Sequence, residues 1–144
     1  MGNQQPYMPA DLARVTPDVH TKPFWDSCRK HELRIQRCTA CGKFRNPPLP
    51  GCLACGSFDV EWVKVSGKGT VYSFTIPHHP VVPVLAEYVP YNVVVVELDG
   101  TGGVRLISNL IDTPYEDISI GQAVELVWED ISDAVALPRF RSAA

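Results

Sequence analysis

The sequence predicts a mainly β protein with a short N-terminal helix, a zinc ribbon and a C-terminal five-stranded barrel of the OB type. Two observations lead to this architecture. The pattern C-x-x-C-G occurs twice, at residues 38–42 and again at residues 52–56. After residue 67, short runs of alternating apolar and polar residues are separated by turn sequences, as in a small antiparallel barrel. We expect an extended arm over residues 1–20, the helix with the ribbon over 21–66, and the OB domain over 67–144.

Length and composition are those of a small globular protein. The chain has 144 residues, of which 45% are apolar, enough for one domain or two small modules. No apolar run reaches the ~20 residues of a membrane span. The N-terminus lacks the basic segment and apolar core of a signal peptide. We therefore expect a cytoplasmic protein whose cysteines stay reduced.

The N-terminal part of the chain is predicted to be an arm followed by a helix. Residues 1–20 are polar and contain three prolines, which indicates an extended arm. A helix is expected to begin near Thr21, whose hydroxyl can cap it. Phe24, Cys28 and His31 then follow at helical spacing on one face, which extends the predicted helix to about His31.

Two features of this helix allow more than one interpretation. Cys28, the fifth cysteine, is predicted to be a small buried apolar residue, because nothing near it in the sequence supplies a base or an orienting acid. Phe24 and Trp25 are expected in the core. If they are exposed instead, they form an anchor for another protein.

The duplicated motif predicts a metal site made by Cys38, Cys41, Cys52 and Cys55. Each C-x-x-C turn places two sulfurs on one side of a tight loop, and two facing loops supply four thiolates at ~2.3 Å from one zinc ion. Two disulfides or a redox pair are the alternatives, and duplication of the motif in a reducing compartment favours metal. Four thiolates leave no open coordination position, so the zinc is expected to be structural.

Seven strands follow from the alternation of apolar and polar residues. Two of them flank the metal motif and five form the barrel. In the first barrel strand, Tyr72, Phe74 and Ile76 are expected to share one face. The predicted strands cover residues 33–37, 60–65, 71–76, 91–98, 104–110, 124–129 and 134–140.

The charge is distributed unevenly along the chain. Between residues 33 and 68 there are six basic and two acidic residues, which gives a net charge of +4. From residue 70 onwards there are three arginines and ten acidic residues, which gives a net charge of −7. Zinc ribbons and OB barrels both occur in nucleic-acid-binding proteins, but an acidic barrel repels a phosphate backbone. The basic ribbon suits a small polyphosphate ligand better.

No catalytic residues are predicted. His78 and His79 are neighbours, and neighbouring residues of a strand point to opposite faces, so we interpret them as loop or surface groups. The glycine-rich segment 99–103 joins two strands and lacks the lysine of a phosphate-binding loop, so it is predicted to be a hairpin turn. The sequence contains no nucleophile elbow and no metalloprotease motif.

Several of these motifs together resemble the DUF35 family. They are Pro23-Phe24-Trp25 before the helix, the paired C-x-x-C-G motifs, segment 67–74 and the closing Leu137-Pro138-Arg139-Phe140. The resemblance covers about residues 20–141. It implies a rubredoxin-like zinc ribbon joined to an OB fold, in an accessory subunit of thiolase-like enzymes that act on acyl-CoA. In such a complex the partner, a thiolase or a lipid-transfer-protein-type aldolase, carries the catalytic residues.

The resulting hypothesis is a non-catalytic, zinc-containing accessory subunit in steroid or lipid side-chain degradation. The partner is expected to bind the helix and loop 78–91, at Phe24, Trp25, His78, His79, Tyr88 and Tyr91. The CoA phosphates are expected at the basic ribbon residues Arg34, Arg37, Lys43 and Arg45. Two alternatives stay open: a module that binds single-stranded nucleic acid or tRNA, and a free-standing acyl-CoA enzyme that uses His78 or His79.

Overall fold

A computed structural model describes residues 7–143, and it is mainly β with one helix, as expected from the sequence. Residues 1–6 of the predicted arm lie outside the described residues. The helix α1 spans Lys22–Cys28. The strands are β1 Arg34–Cys38, β2 Phe44–Arg45, β3 Val60–Lys64, β4 Lys68–Thr75, β5 Val93–Leu98, β6 Arg105–Ser108, β7 Ala123–Asp130 and β8 Ala136–Ser142. Short 3-10 turns cover Ala10–Leu12, Pro83–Glu87 and Tyr115–Asp117.

The helix is shorter than predicted and is capped differently. Asp18, not Thr21, provides the side-chain cap, because its Oδ1 accepts hydrogen bonds from the N–H groups of His20 and Thr21 at 2.9 and 2.8 Å. The Thr21 hydroxyl donates to the same oxygen and caps no N–H of the first turn. At the other end the helix stops at Cys28, and His31 has a φ of 57°, which no α-helix continues.

Strands β1 to β3 form a three-stranded antiparallel sheet with β1 in the centre. Leu33 and Ile35 turn inwards and are almost fully buried. Gln36 is also buried, and its Oε1 accepts hydrogen bonds from the Leu49 N–H and from the Arg45 Nε. This buried amide holds the proline-rich connection between the two cysteine motifs against the sheet.

Strands β4 to β8 form the predicted five-stranded antiparallel sheet, in the order β6-β5-β4-β7-β8. The sheet curls into a half-barrel, which agrees with the five-stranded architecture of the OB type that the sequence predicts. The two edge strands meet through a parallel bridge between Leu110 and Phe140 and through a hydrogen bond from the Ser108 hydroxyl to Pro138 O at 2.6 Å. The N–H groups of Ile111 and Phe140 donate there to Phe140 O and Asn109 O at 2.8 and 3.1 Å.

A β-bulge changes the faces of β4. The pairing register of β4 with β5 shifts between Val71 and Ser73, which leaves Tyr72 as the extra residue. Val71 is therefore buried and Phe74 packs against the core, while Tyr72 turns outwards and is 46% exposed. The prediction that Tyr72 shares a face with Phe74 and Ile76 is wrong for this reason.

One hydrophobic core joins the helix, the ribbon and the half-barrel. Cys28 of α1 and Ile35 of β1 belong to the same cluster as Val94 of β5 and Phe140 of β8. All four are at most 1% exposed. The two sheets are thus packed together on a shared apolar interior. Within residues 7–143, none of the helices has the length and apolar character needed to cross a bilayer.

A buried polar network lies where the ladder of the half-barrel is interrupted. Asn92 is 3% exposed, and its side chain pairs with both backbone groups of Leu110, each at 2.7 Å. The Tyr7 hydroxyl accepts hydrogen bonds from the Asn92 N–H and Nδ2 at 3.1 and 2.9 Å. The Tyr7 N–H donates to Glu129 at 3.0 Å. Asn92 therefore connects the N-terminal arm, β5 and the segment after β6.

We expect the substitution Asn92→Ala to lower the free energy of unfolding by about 2–4 kcal/mol, because it leaves the buried N–H and C=O groups of Leu110 without partners. Urea denaturation followed by tryptophan fluorescence measures this change. Asn46→Ala is the matched control, since that amide makes one exposed hydrogen bond to Arg105 O. Its effect should stay below about 1 kcal/mol. Equal effects of the two substitutions would contradict the role of Asn92.

Candidate metal centre

The two cysteine motifs fold into matching turns. The Gly42 N–H donates to Cys38 O, and the Gly56 N–H donates to Cys52 O, both at 2.8 Å. Both glycines have positive φ angles, 78° and 77°, a conformation that glycine adopts without steric cost. The cysteine N–H at the start of each turn then donates to a carbonyl five residues on, Lys43 O or Ser57 O. The repeated sequence thus produces a repeated backbone geometry.

The turns face each other and bring together the four predicted cysteine sulfurs. All four atoms lie within 4.8 Å of one another, and they belong to Cys38, Cys41, Cys52 and Cys55. The closest pairs, Cys38–Cys55 and Cys41–Cys52, have sulfurs 3.6 Å apart. A disulfide needs about 2.05 Å. Four thiolates around one zinc ion at ~2.3 Å are ~3.8 Å apart, so the observed set fits a tetrahedral metal ion.

Backbone N–H groups point at the first cysteine sulfur of each turn. The Cys41 N–H, followed by that of Ala40, lowers the pKa of the Cys38 thiol. In the second turn the N–H groups of Cys55 and Ala54 lower the pKa of Cys52 to about 6. These hydrogen bonds stabilise the negative thiolates that a metal ion requires.

The fifth cysteine lies apart from this cluster. Cys28 has 0% exposure in the shared core, and it is a free thiol outside the four-sulfur group. Burial raises the pKa of its thiol to about 12. Cys28 is therefore the buried apolar residue that the sequence predicted.

The two histidines of loop 78–91 are exposed and do not form a site with each other. The His78 Nδ1–H donates to Ile76 O at 2.8 Å, and its imidazole meets the Tyr115 ring edge-on at 6.0 Å. His79 is exposed on the same loop. Tyr88 is 36% exposed, and Tyr91 is half-buried where its N–H closes the loop onto Pro77 O.

The two aromatic residues of α1 have different environments. Phe24 is only 8% exposed and belongs to the shared core, so its ring offers little surface to a partner. Trp25 is half-buried and packs edge-on against Phe24 at 5.1 Å. Of this predicted pair, Trp25 has the side chain that reaches the surface.

Three of the four predicted phosphate-binding residues have partners within the ribbon. Arg34 pairs with Glu32 at 2.8 Å, and Arg37 pairs with Glu61 at 2.7 Å through its Nε. Arg45 donates to the Gln36 side chain and to Leu49 O. Lys43 is exposed, and it lines an open cleft of about 470 Å³ between the ribbon and the hairpin turn at Gly102. The four side chains do not converge on one site.

Loop 78–91 exposes apolar residues that the sequence analysis did not select. Val81, Val84 and Val82 are 75%, 44% and 41% exposed, while Leu85 is buried and holds the loop to the protein. The only acidic or basic residue of the loop, histidines aside, is Glu87. In the sequence, this exposed apolar loop is indicated by a run of valines between prolines with a single charged residue.

We expect Cys28 to resist alkylation in the folded protein. At pH 8, a thiol with a pKa of about 12 has a thiolate fraction on the order of 10⁻⁴, and the thiolate is the reactive form. Peptide mass spectrometry after iodoacetamide treatment, with and without denaturant, measures the labelling. Cys28 should be labelled only in denaturant. Labelling of the native protein at the rate of a free cysteine would contradict this burial.

Two family models match the chain in succession. Residues 25–61 match the model described as ChsH2, rubredoxin-like zinc ribbon domain. Residues 62–129 match the model described as ChsH2, C-terminal OB-fold domain. Together they include the four cysteines and six of the eight strands in full.

Curated relatives support the same assignment. The chain is 44% identical over 121 residues to a probable enoyl-CoA hydratase alpha subunit of Thermomonospora curvata, covering 83% of this chain and 37% of the relative. It is 37% identical over 125 residues to the 3-oxo-4,17-pregnadiene-20-carboxyl-CoA hydratase alpha subunit of Mycobacterium tuberculosis, covering 87% and 39%. The chain thus spans less than two fifths of these two relatives.

Shorter relatives match over most of their length. A DUF35 domain-containing scaffold protein of Pyrococcus furiosus is 36% identical over 112 residues, covering 76% of this chain and 79% of the relative. Among solved structures, a chain of the Ltp2-ChsH2(DUF35) aldolase superposes with a TM-score of 0.81 at 39% identity, covering 91% of this chain and 100% of that chain. The zinc-ribbon motif, the half-barrel and these matches together establish that the chain belongs to the DUF35 family.

Proposed function

We propose that the chain is a non-catalytic, zinc-containing accessory subunit of a thiolase-like enzyme that acts on acyl-CoA. The partner would be a thiolase or a lipid-transfer-protein-type aldolase, working in steroid or lipid side-chain degradation. The observation that carries the proposal is the superposition on a whole chain of the Ltp2-ChsH2(DUF35) aldolase. The steroid-derived CoA thioester in the name of one hydratase relative supports the proposed class of substrate.

Zinc is the proposed ion at Cys38, Cys41, Cys52 and Cys55. The sulfur separations fit zinc–thiolate geometry, and the matching family model is described as a zinc ribbon. Zinc bound by four thiolates has no open position for substrate, so it would supply folding energy to the ribbon and no Lewis-acid chemistry. The four residues would act by holding the two turns together.

The proposed partner surface includes Trp25 and loop 78–91, with His78, His79, Tyr88 and Tyr91. Loop 78–91 combines exposed valines with one carboxylate, which suits contact with an uncharged protein surface. Its two ends are held together by the hydrogen bond from the Tyr91 N–H to Pro77 O. A loop fixed in this way loses little conformational entropy when a partner binds.

Lys43 is the main residue proposed to bind the CoA phosphates. Its ammonium group is exposed beside an open cleft. Arg34, Arg37 and Arg45 would have to exchange their partners in the ribbon for phosphate, which lowers their net contribution. The acidic half-barrel disfavours the nucleic-acid alternative, because phosphate contacts need positive charge along the binding face.

Co-expression tests the accessory role directly. We expect the chain to co-purify as a stable complex with a thiolase-like subunit, and the complex alone to turn over acyl-CoA. The isolated chain should have no turnover, since the two exposed histidines of loop 78–91 do not form a site with each other. Turnover by the isolated chain that is lost in His78→Ala or His79→Ala would contradict the proposal.

Elemental analysis tests the metal assignment. We expect about one zinc per chain in the purified protein, and its loss in Cys52→Ser together with loss of ribbon structure. Cys28→Ala is the matched control, because Cys28 lies outside the four-sulfur group and should leave the zinc content unchanged. A folded, metal-free protein with the four thiols oxidised in pairs would overturn the assignment.

A further inference from the structure

The backbone of Asn92, which links loop 78–91 to β5, is held by two side chains from distant parts of the sequence. The pairing of β5 with β4 begins one residue later, at Val93. The Asn92 N–H donates to the Tyr7 hydroxyl oxygen at 3.1 Å, and the Asn92 C=O accepts a hydrogen bond from the Asn109 Nδ2. The end of the loop is therefore tied directly to the N-terminal arm.

A closed ring of contacts holds Tyr7 in this position. The Tyr7 N–H donates to the Glu129 Oε2 at 3.0 Å, and the Glu129 Oε1 accepts a hydrogen bond from Arg139 at 3.4 Å. Arg139 also donates to the Asn109 Oδ1, which leads back to Asn92. The Arg139 guanidinium carbon lies 5.7 Å from the centre of the Tyr7 ring. Because each member of the ring positions the next, the loss of one hydrogen bond weakens the others.

The arm between Tyr7 and the helix makes mainly local contacts. Within the described part of the arm, the hydrogen bonds of residues 9–14 join positions three apart, and residues 16–20 are exposed. The two hydrogen bonds of Tyr7 to Asn92 and Glu129 span 85 and 122 positions. Tyr7 is therefore the residue whose hydrogen bonds fasten the arm to the half-barrel.

Loop 78–91 has little anchorage of its own. Leu85 is the only buried residue of the loop, every residue of which is described. The hydrogen bond from the Tyr91 N–H that closes the loop is long, at 3.4 Å. Segments with few buried apolar contacts open locally at a low cost in free energy. Asn92 follows Tyr91 directly, so its bond to Tyr7 lies where it restricts such opening.

We propose that the N-terminal arm is a strap, and that its Tyr7 keeps loop 78–91 ordered by holding Asn92 at the end of the loop. Release of Tyr7 frees the Asn92 N–H and loosens the loop, while the ribbon with its two metal-binding turns stays folded. The strap does not depend on the proposed accessory function, but its consequence does. Because loop 78–91 belongs to the proposed partner surface, the docked arm fixes that surface before the partner binds, which lowers the entropy lost on binding.

Hydrogen exchange of the isolated 144-residue chain tests the strap. Tyr7→Phe keeps the ring beside Arg139 and removes the oxygen that accepts from Asn92. We expect the peptide 82–92 to exchange at least about fivefold faster, because the loss of one hydrogen bond changes a local opening equilibrium by about that factor. Tyr72→Phe is the matched control, because the Tyr72 side chain is on the exposed face of β4, and it should change this exchange less than about twofold.

The metal-binding turns distinguish a local effect from a general loss of stability. Peptides 38–45 and 52–58 should exchange in Tyr7→Phe at the rate of the wild type. Unchanged exchange of peptide 82–92 would overturn the strap. Equal acceleration of all three peptides would overturn it as well, because Tyr7 would then support the fold as a whole and not the loop.

Affinity for the thiolase-like subunit separates the strap from the proposed function. If the strap fixes the partner surface, Tyr7→Phe should weaken the complex at least about threefold. Faster loop exchange with unchanged affinity would support the strap and remove loop 78–91 from the proposed partner surface. A tight wild-type complex with unchanged loop exchange in Tyr7→Phe would overturn the strap and leave the accessory role intact. Faster loop exchange in a chain that binds no such subunit would support the strap and overturn the accessory role.

Discussion

The burial of a single apolar interior between the ribbon and the half-barrel is the interaction on which the rest of the structure depends. Cys28, Leu33 and Ile35 come from the N-terminal half of the chain, and they pack with Val94 and Phe140 of the barrel strands. A three-stranded ribbon of this size has too little apolar surface to be stable without a metal ion or a neighbour. Here it has the barrel as a neighbour and four sulfurs arranged for a metal ion. These two constraints fix the positions of the loops and faces on which the functional proposals are based.

The elements with strong local signals were predictable from the sequence. The repeated C-x-x-C-G motif folds into one common turn conformation. Both Gly42 and Gly56 adopt the positive φ that this turn needs. The β-branched run of β5 is paired on both sides, as its composition indicated. In each case the signal resides in a few consecutive residues.

The features that could not be predicted depend on contacts between distant residues. The bulge at Tyr72 follows from the pairing of β4 with β5, and nothing in the local alternation identifies the extra residue. The cap from Asp18 depends on how the arm approaches the helix. The buried pairing of Asn92 with Leu110 joins positions 18 residues apart, and a single asparagine in a sequence gives no indication of such a partner. The exposure of the loop valines likewise depends on a tertiary contact, because Leu85 of the same loop is buried in the interior.

The shared interior also limits the positions at which related genes can recombine within this chain. An exchange of genetic material at the junction between the two sheets would bring together a ribbon and a barrel that had not evolved against each other. Leu33 and Ile35, each 1% exposed, would then meet an unmatched surface, and large-to-small or overpacked contacts there cost several kcal/mol. Recombination should therefore exchange the two sheets together as one unit. Breakpoints that leave the protein folded should lie before the helix or after the last strand.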